Sequence, residues 1–279
     1  GAADVDADGV CAGVVFEAIL SRLGRKNRLL LPNRERNVWT SENREKIAQA
    51  APDALFVLDL GCRDEKVLPA IPTLFLDHHR PEGVSEGDVL VSGYAWDPIP
   101  NTSWMAFEIA RDWVEIGDLD WVAAIGTLSD LGDKAPWPLL DEVRKKYTAK
   151  WLKEATALVN APRRAAKFAP EIAVAALRNF ENPKALCLSE NSEIVALKTA
   201  RREVSAALAQ GKKAAPVFAG DVALIRVNSP CQIHPLIAQV WRSRLPKFHV
   251  ICANLGYMEG RVNFSARSQG EKSVLKLLK

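Results

Sequence analysis

The chain has 279 residues, 48% of them hydrophobic and 25% charged, enough apolar mass for a core and enough length for two ordinary domains or one large one. A formal net charge of +3 is too mild to demand a nucleic-acid or membrane partner, though it leaves room for a local basic surface. No run of about 18 apolar residues marks a membrane span, and the acidic start does not resemble a secretory signal. Five scattered cysteines (Cys11, Cys62, Cys187, Cys231, Cys252), with no C-x-x-C pair, read as reduced thiols of a cytoplasmic protein.

In chain order, residues 10–23 predict an amphipathic helix carrying Val10, Val14, Ile19 and Leu23, with Gly24 as the stop. Leu29-Leu30-Leu31 reads as a short strand closed by Pro32, and residues 42–50 as a helix with one polar face. Two strongly apolar runs follow, Ala54 to Leu58 ending in Asp59 and Thr73 to Leu76 ending in Asp77, then a third strand near Val89-Leu90-Val91. Strands alternating with helices predict parallel βαβ units. A helix from Ser103 to about Ile116 and another from Asp118 toward Asp130 come next, before the Pro136-Trp137-Pro138 break. Residues 139–210 read as helical, with breaks at Pro162, Pro170 and Pro183.

The last stretch predicts a strand over 217–227, a helix over 234–244, strands over 249–255 and 261–267, and a short final helix. The expected class is α/β: a parallel-sheet domain over residues 1–150, a helical connector over 151–212, and a smaller α/β domain over 213–279.

The chemistry concentrates in four places. Asp4-Val5-Asp6-Ala7-Asp8-Gly9, if extended, would point three carboxylates to one side, because strand side chains alternate. Gly9 then allows a tight turn into a helix whose first amides favour anions. The pattern also opens a calcium-binding loop, but the position where that loop needs a glutamate falls in Val14-Val15-Phe16, which offers no oxygen. Asp59 and Asp77 end apolar runs, at the sheet rim where open α/β folds bind ligands. His78 and His79 are two of only four histidines and sit beside Asp77; such a pair signals metal chemistry far more strongly than a lone histidine. Asp130 closes Gly126-Thr127-Leu128-Ser129-Asp130. Carboxylates gathered at one rim repel one another unless cations sit among them, and carboxylate oxygen with imidazole nitrogen suits Mn²⁺, with Mg²⁺ or Zn²⁺ as alternatives.

Taken together, Asp-x-Asp-x-Asp-Gly, the strand-ending Asp59, Asp77-His78-His79 and Gly126-Thr127-x-x-Asp130 resemble, in this order, the DHH phosphoesterases. The branch it looks like is the RecJ type, with Asp4 in the place where other branches carry histidine. The resemblance implies one metal held by Asp4, Asp6 and Asp59. It implies a second held by Asp8, Asp59, His78 and Asp130, with Asp59 bridging. His79 would face the scissile phosphate and Asp77 would orient the histidines. In the C-terminal domain, Ser265-Ala266-Arg267-Ser268 resembles the family's S-x-R-S segment, which contacts a phosphate or terminal nucleotide.

His234 is expected at a helix start and His249 inside a strand. Measured against the family, the strand leading into Asp4 is expected to be nearly absent. The associated domain is expected to stop short of the glycine-rich segment that usually finishes it.

The implied activity is Mn²⁺-dependent hydrolysis of phosphodiesters in single-stranded DNA or RNA, or in short oligonucleotides, as a RecJ-like exonuclease. A nanoRNase, or a phosphodiesterase of linear or cyclic dinucleotides, is the enzymatic alternative. A replication-factor-like binding scaffold is the alternative from another class.

Overall fold

In a computed structural model of the chain, residues 1–269 and 273–277 are described. The elements of the first half are β1 (Ala2–Ala3), α1 (Ala7–Arg22), α2 (Ser41–Gln49), β2 (Leu55–Leu58), β3 (Thr73–Asp77), β4 (Val89–Ser92), α3 (Thr102–Arg111) and α4 (Asp120–Asp130). Helices α5 (Pro138–Tyr147), α6 (Ala149–Arg164), α7 (Glu171–Asn179), α8 (Pro183–Leu188) and α9 (Ser192–Gly211) follow. The chain finishes with β5 (Val217–Ala219), β6 (Val222–Val227), α10 (His234–Arg244), β7 (His249–Asn254), β8 (Asn263–Arg267) and α11 (Val274–Leu277). No helix is long and apolar enough to cross a membrane among the described residues.

The chain divides into two compact units. The first comprises Gly1–Asn160 and Pro170–Leu197, and the second Ala161–Ala169 and Lys198–Lys279, so α6 and α9 each contribute to both. As expected, the class is α/β, with a four-stranded parallel sheet and a second, mixed sheet of four strands.

In the first unit, β1, β2, β3 and β4 lie in that order and every pair is parallel. Sheets covered on both faces need apolar residues at nearly every position, which is why β2 and β3 read as unbroken apolar runs. Leu55, Val57 and Phe75 bury one face against Val38, Trp39 and Ile47. The long β2–β3 connection carries no helix; instead Cys62 and Val67 from that connection fill the same core. On the other face α1 packs Phe16 against Phe56, ring centroids 4.7 Å apart, and α3 and α4 pack against α1.

Four expected boundaries shift. Leu29-Leu30-Leu31 contributes a single bridge, Leu30 to Ala2, because β1 offers only two residues to pair with. The helix expected to reach Ile116 ends at Arg111: the Ala110 carbonyl accepts from both Trp113 and Val114, and the chain turns away to bury Ile116. Pro162 does not break its helix but lies within the last turn of α6, where it forgoes one bond, to the Leu158 carbonyl, with only two helical residues left to follow. The 217–227 strand is a hairpin, β5 antiparallel to β6. Its two-residue turn places Gly220 at φ 56, a conformation that glycine adopts without strain.

The second unit's sheet has the order β5-β6-β7-β8, with only β6 and β7 parallel. Ile225, Ile237, Val250 and Cys252 form its core. His249 opens β7, buried, as expected.

His234 is the first residue of α10 and is buried, its ring tilted against Tyr257 at 5.7 Å. Burial, and then the nearby Arg164 charge, push its pKa from 6.5 down to about 4. The unfolded chain therefore takes up a proton that the folded one refuses, and stability present above pH 6.5 is lost as pH falls from 6.5 toward 4. Replacing His234 by Phe is expected to flatten that part of the pH profile by on the order of 2 kcal/mol. Urea unfolding of both proteins between pH 7 and 4 checks it; parallel curves would remove the assignment.

Candidate metal centre

Because the strands of the first unit run parallel, all of their carboxyl ends open on one edge. Asp4 follows β1, Asp59 follows β2, Asp77 ends β3, and His78 and His79 come directly after it. Asp4, Asp6 and Asp8 are not a row on one side of an extended strand. The chain bends after Ala3, and α1 starts at Ala7, three residues earlier than its apolar periodicity implies. Asp6 is the N-cap, accepting from Gly9 N at 3.2 Å, and Asp8 lies in the first helical turn. Capping of this kind stabilises a helix by about 1 kcal/mol, enough to outweigh extension of a five-residue segment.

Three groups of potential ligand atoms gather within 4.8 Å: Asp4, Asp6 and Asp59; Asp8, His78 and Asp130; and Asp59, His78 and His79. His78 Nε2 lies 3.4 Å from Asp59, 3.7 Å from Asp130 and 3.9 Å from Asp8. Asp59 belongs to two of the groups and sits at φ 64, a backbone conformation that Asp and Asn tolerate better than most residues. Asp77 stands behind. Its carboxylate accepts from Gly61 N at 2.6 Å and from His79 N at 2.5 Å, and holds His79 Nδ1 at 3.0 Å.

Several contributors belong to no sequence motif. Asp8 Oδ1 accepts from Asn101 Nδ2 (2.5 Å) and Ser103 N (2.8 Å), its Oδ2 accepts from Thr102 N (2.9 Å), and Thr102 Oγ1 donates to Asp59 at 2.8 Å. The first amides of α3 thus hold Asp8 as helix N-termini hold anions. Gly126 permits the fit, since a Cβ there would lie 2.1 Å from Ser103 Oγ. Arg36 donates from Nε to Asp4 at 2.7 Å and from Nη2 to both Asp4 and Asp6.

The electrostatics follow from crowding. Burial and then the charges of Asp130 and Asp6 raise the Asp8 pKa; burial and then Asp8 raise that of Asp59 well above the usual range. Asp130 is raised by burial, with Asp6 adding to it. Burial works against charge on His78, but Asp59, Asp8 and Asp130 overcome it and lift its pKa to about 9. His79 is raised first by its hydrogen bond to Asp77. For Asp77, burial is outweighed by the bonds from His79 and Gly61, which hold its carboxyl low. The donor set is all carboxylate oxygen and imidazole nitrogen, and its acids resist sharing negative charge; both properties fit hard or borderline divalent cations.

Beside Asp4, Asp59 and His79 opens a cavity of about 470 Å³ whose lining includes Arg36, Arg63 and Arg80. Arg63 lies over the Trp39 ring at 4.1 Å. In the second unit, Ser265 and Arg267 lie on the edge strand β8 and Ser268 just beyond it. Arg267 is exposed, donating to the Ala266 carbonyl.

No family model matches this sequence, and no curated protein does. Solved structures do. A RecJ exonuclease bound to manganese aligns at TM-score 0.66 and 17% identity, over 99% of this chain and 79% of that one. The fold is that of RecJ-type DHH proteins. RecJ of Thermus thermophilus in complex with Mn²⁺ aligns at TM-score 0.69 and 16% identity, over 99% of this chain. The chain spans 45% of that RecJ's length. CDC45 from Entamoeba histolytica aligns at TM-score 0.53 and 10% identity, over 96% of this chain and 84% of its own. The RecJ-like fold thus extends through both units of the chain, and the first unit carries the acidic edge.

Proposed function

We propose that the chain is a divalent-metal phosphoesterase that hydrolyses phosphodiester bonds of single-stranded nucleic acid or short oligonucleotides, as a RecJ-like exonuclease. The observation that carries this reading is the gathering of Asp4, Asp6, Asp8, Asp59, His78 and Asp130 around one point of the sheet edge, beside an arginine-lined cavity. Asp4, Asp6 and Asp59 would hold one ion and Asp8, Asp59, His78 and Asp130 a second, Mn²⁺ or Mg²⁺. Bound there, divalent ions supply a nucleophilic water at neutral pH and neutralise charge on the phosphate.

The remaining residues act around that chemistry. Asp77 fixes His79 through Nδ1, so the other ring nitrogen is the one presented to substrate. Arg36, Arg63 and Arg80 balance phosphate charge in the cavity. In the second unit, the exposed fork of Arg267, with Ser265 and Ser268, grips a phosphate or the terminal nucleotide. Arg267→Ala is therefore expected to raise KM about tenfold, the scale of one charge-assisted hydrogen bond, with little change in kcat. Steady-state kinetics check it, and an unchanged KM removes the contact.

The function itself is tested with 5′- and 3′-labelled DNA and RNA oligomers, from dinucleotides upward, with Mn²⁺ and with Mg²⁺. Stepwise release of mononucleotides is expected. No product from any member with either ion would overturn the reading.

A further inference from the structure

The loop after β4 leaves the sheet at the same edge as the carboxylates and carries an exposed apolar cluster: Tyr94 is 42% exposed, Trp96 49% and Ile99 44%. Behind it, Trp96 meets Trp104 edge-on at 6.5 Å, and Trp104 stacks on Trp137 at 4.1 Å with the rings 20° apart. Two aromatic side chains half-exposed on one short loop are a candidate binding surface.

The loop is anchored beside the metal centre at both ends, and Trp137 reaches the cluster from the segment after α4. Gly93, at the start of the loop, donates to the Asp77 carbonyl at 2.9 Å. Asn101, Thr102 and Ser103, at its end, hold Asp8 and Asp59, with Trp104 the next residue. Trp137 follows Asp130 by seven positions. The loop is also held in one shape: Tyr94 N donates to Ser92 Oγ, Trp96 N donates to the Gly93 carbonyl, and Pro98 and Pro100 restrict the backbone. An exposed aromatic surface on a loop whose two ends bond Asp77 and Asp8 matches one ligand chemistry above others if the centre hydrolyses phosphodiesters, the flat π-face of a base one link away from a phosphate.

We propose that Trp96, backed by the Trp104–Trp137 stack, is a nucleobase-stacking platform that holds a base of the substrate beside the scissile phosphodiester. This deepens the phosphoesterase reading and rests on it. Stacking on any base alike makes recognition here tolerant of sequence, so the platform selects for an unpaired base rather than for a particular one.

The test uses the full chain and two readouts. In the first, the KM for a single-stranded hexanucleotide with Mn²⁺ is expected to rise about tenfold in Trp96→Ala and to recover in Trp96→Phe, with kcat within about twofold. The gap between wild type and Trp96→Ala should shrink to less than about twofold on a hexanucleotide of abasic residues. In the second, anisotropy of a fluorescent hexanucleotide, measured in Ca²⁺, should show about tenfold weaker binding by Trp96→Ala.

Equal KM and equal affinity in Trp96→Ala overturn the platform while leaving hydrolysis by the wild type intact. Binding that depends on Trp96 without hydrolysis by any preparation overturns the phosphoesterase reading instead. A dimer in sedimentation that dissociates in Trp96→Ala, with oligonucleotide affinity unchanged, overturns the platform in favour of an interface between two copies.

Discussion

Asp59→Asn is expected to abolish Mn²⁺-dependent hydrolysis, with a loss at or beyond the ~10²–10³-fold that removal of one electrostatic stabiliser costs. Asparagine is the informative substitution. It keeps the shape and the preference for the φ 64 backbone that Ala would strain, and its side-chain oxygen still accepts from Thr102. What it removes is a charge shared by two of the three ligand groups.

The same substitution separates metal binding from folding. Burial and the Asp8 charge raise the Asp59 pKa, so the folded chain favours the neutral carboxyl, and ionising it as pH rises works against folding. In chelator, Asp59→Asn should therefore melt at or above the wild-type temperature. With Mn²⁺ added, the wild type should gain stability by mass action and the variant should not. Thermal melts with chelator and with a Mn²⁺ series, beside hydrolysis rates, check both halves. A variant that still turns over substrate, or still gains stability from Mn²⁺, refutes the assignment of Asp59.

Which parts of this arrangement are legible in the sequence depends on the range of the interactions that create them. Asp59 and Asp77 are legible because an apolar run buried on both faces stops where the sheet stops, and both signals are local. His78 and His79 stand out through rarity and adjacency. The start of α1 is misread because its N-cap is Asp6 and its first turn carries Asp8, while the apolar stripe begins only at Val10; a capping interaction sets the boundary, not periodicity. Asn101, Thr102 and Ser103 look like an ordinary helix start. Their side chains and amides instead serve Asp8, more than ninety positions away. Arg36 reaches Asp4 across 32 positions from a loop with no periodic signal. Short-range regularities write themselves into sequence; a hydrogen bond closed by tertiary folding leaves no local mark.

Gly9→Ala is the second large effect expected, and propensity alone predicts the opposite sign. Gly9 lies in the first turn of α1, where Ala should be favoured by about 1 kcal/mol over Gly. Yet a Cβ at this position would sit 2.5 Å from the Asp4 Cβ and 2.7 Å from its Cα and backbone nitrogen. Those atoms belong to the main chain and the root of the side chain, not to a flexible tip, so relief requires moving α1 away from the end of β1. Overpacking of this kind costs about 1–3 kcal/mol. The displaced residue is itself a proposed metal ligand, so the loss should also appear as a smaller Mn²⁺-induced rise in melting temperature and slower hydrolysis. Gly117→Ala is the matched control, since its Cβ would meet nothing within 4 Å. Urea unfolding and Mn²⁺-dependent melting of the two variants decide the matter. A Gly9→Ala protein as stable and as responsive to Mn²⁺ as Gly117→Ala would mean that the close approach of α1 to Asp4 does not build the centre.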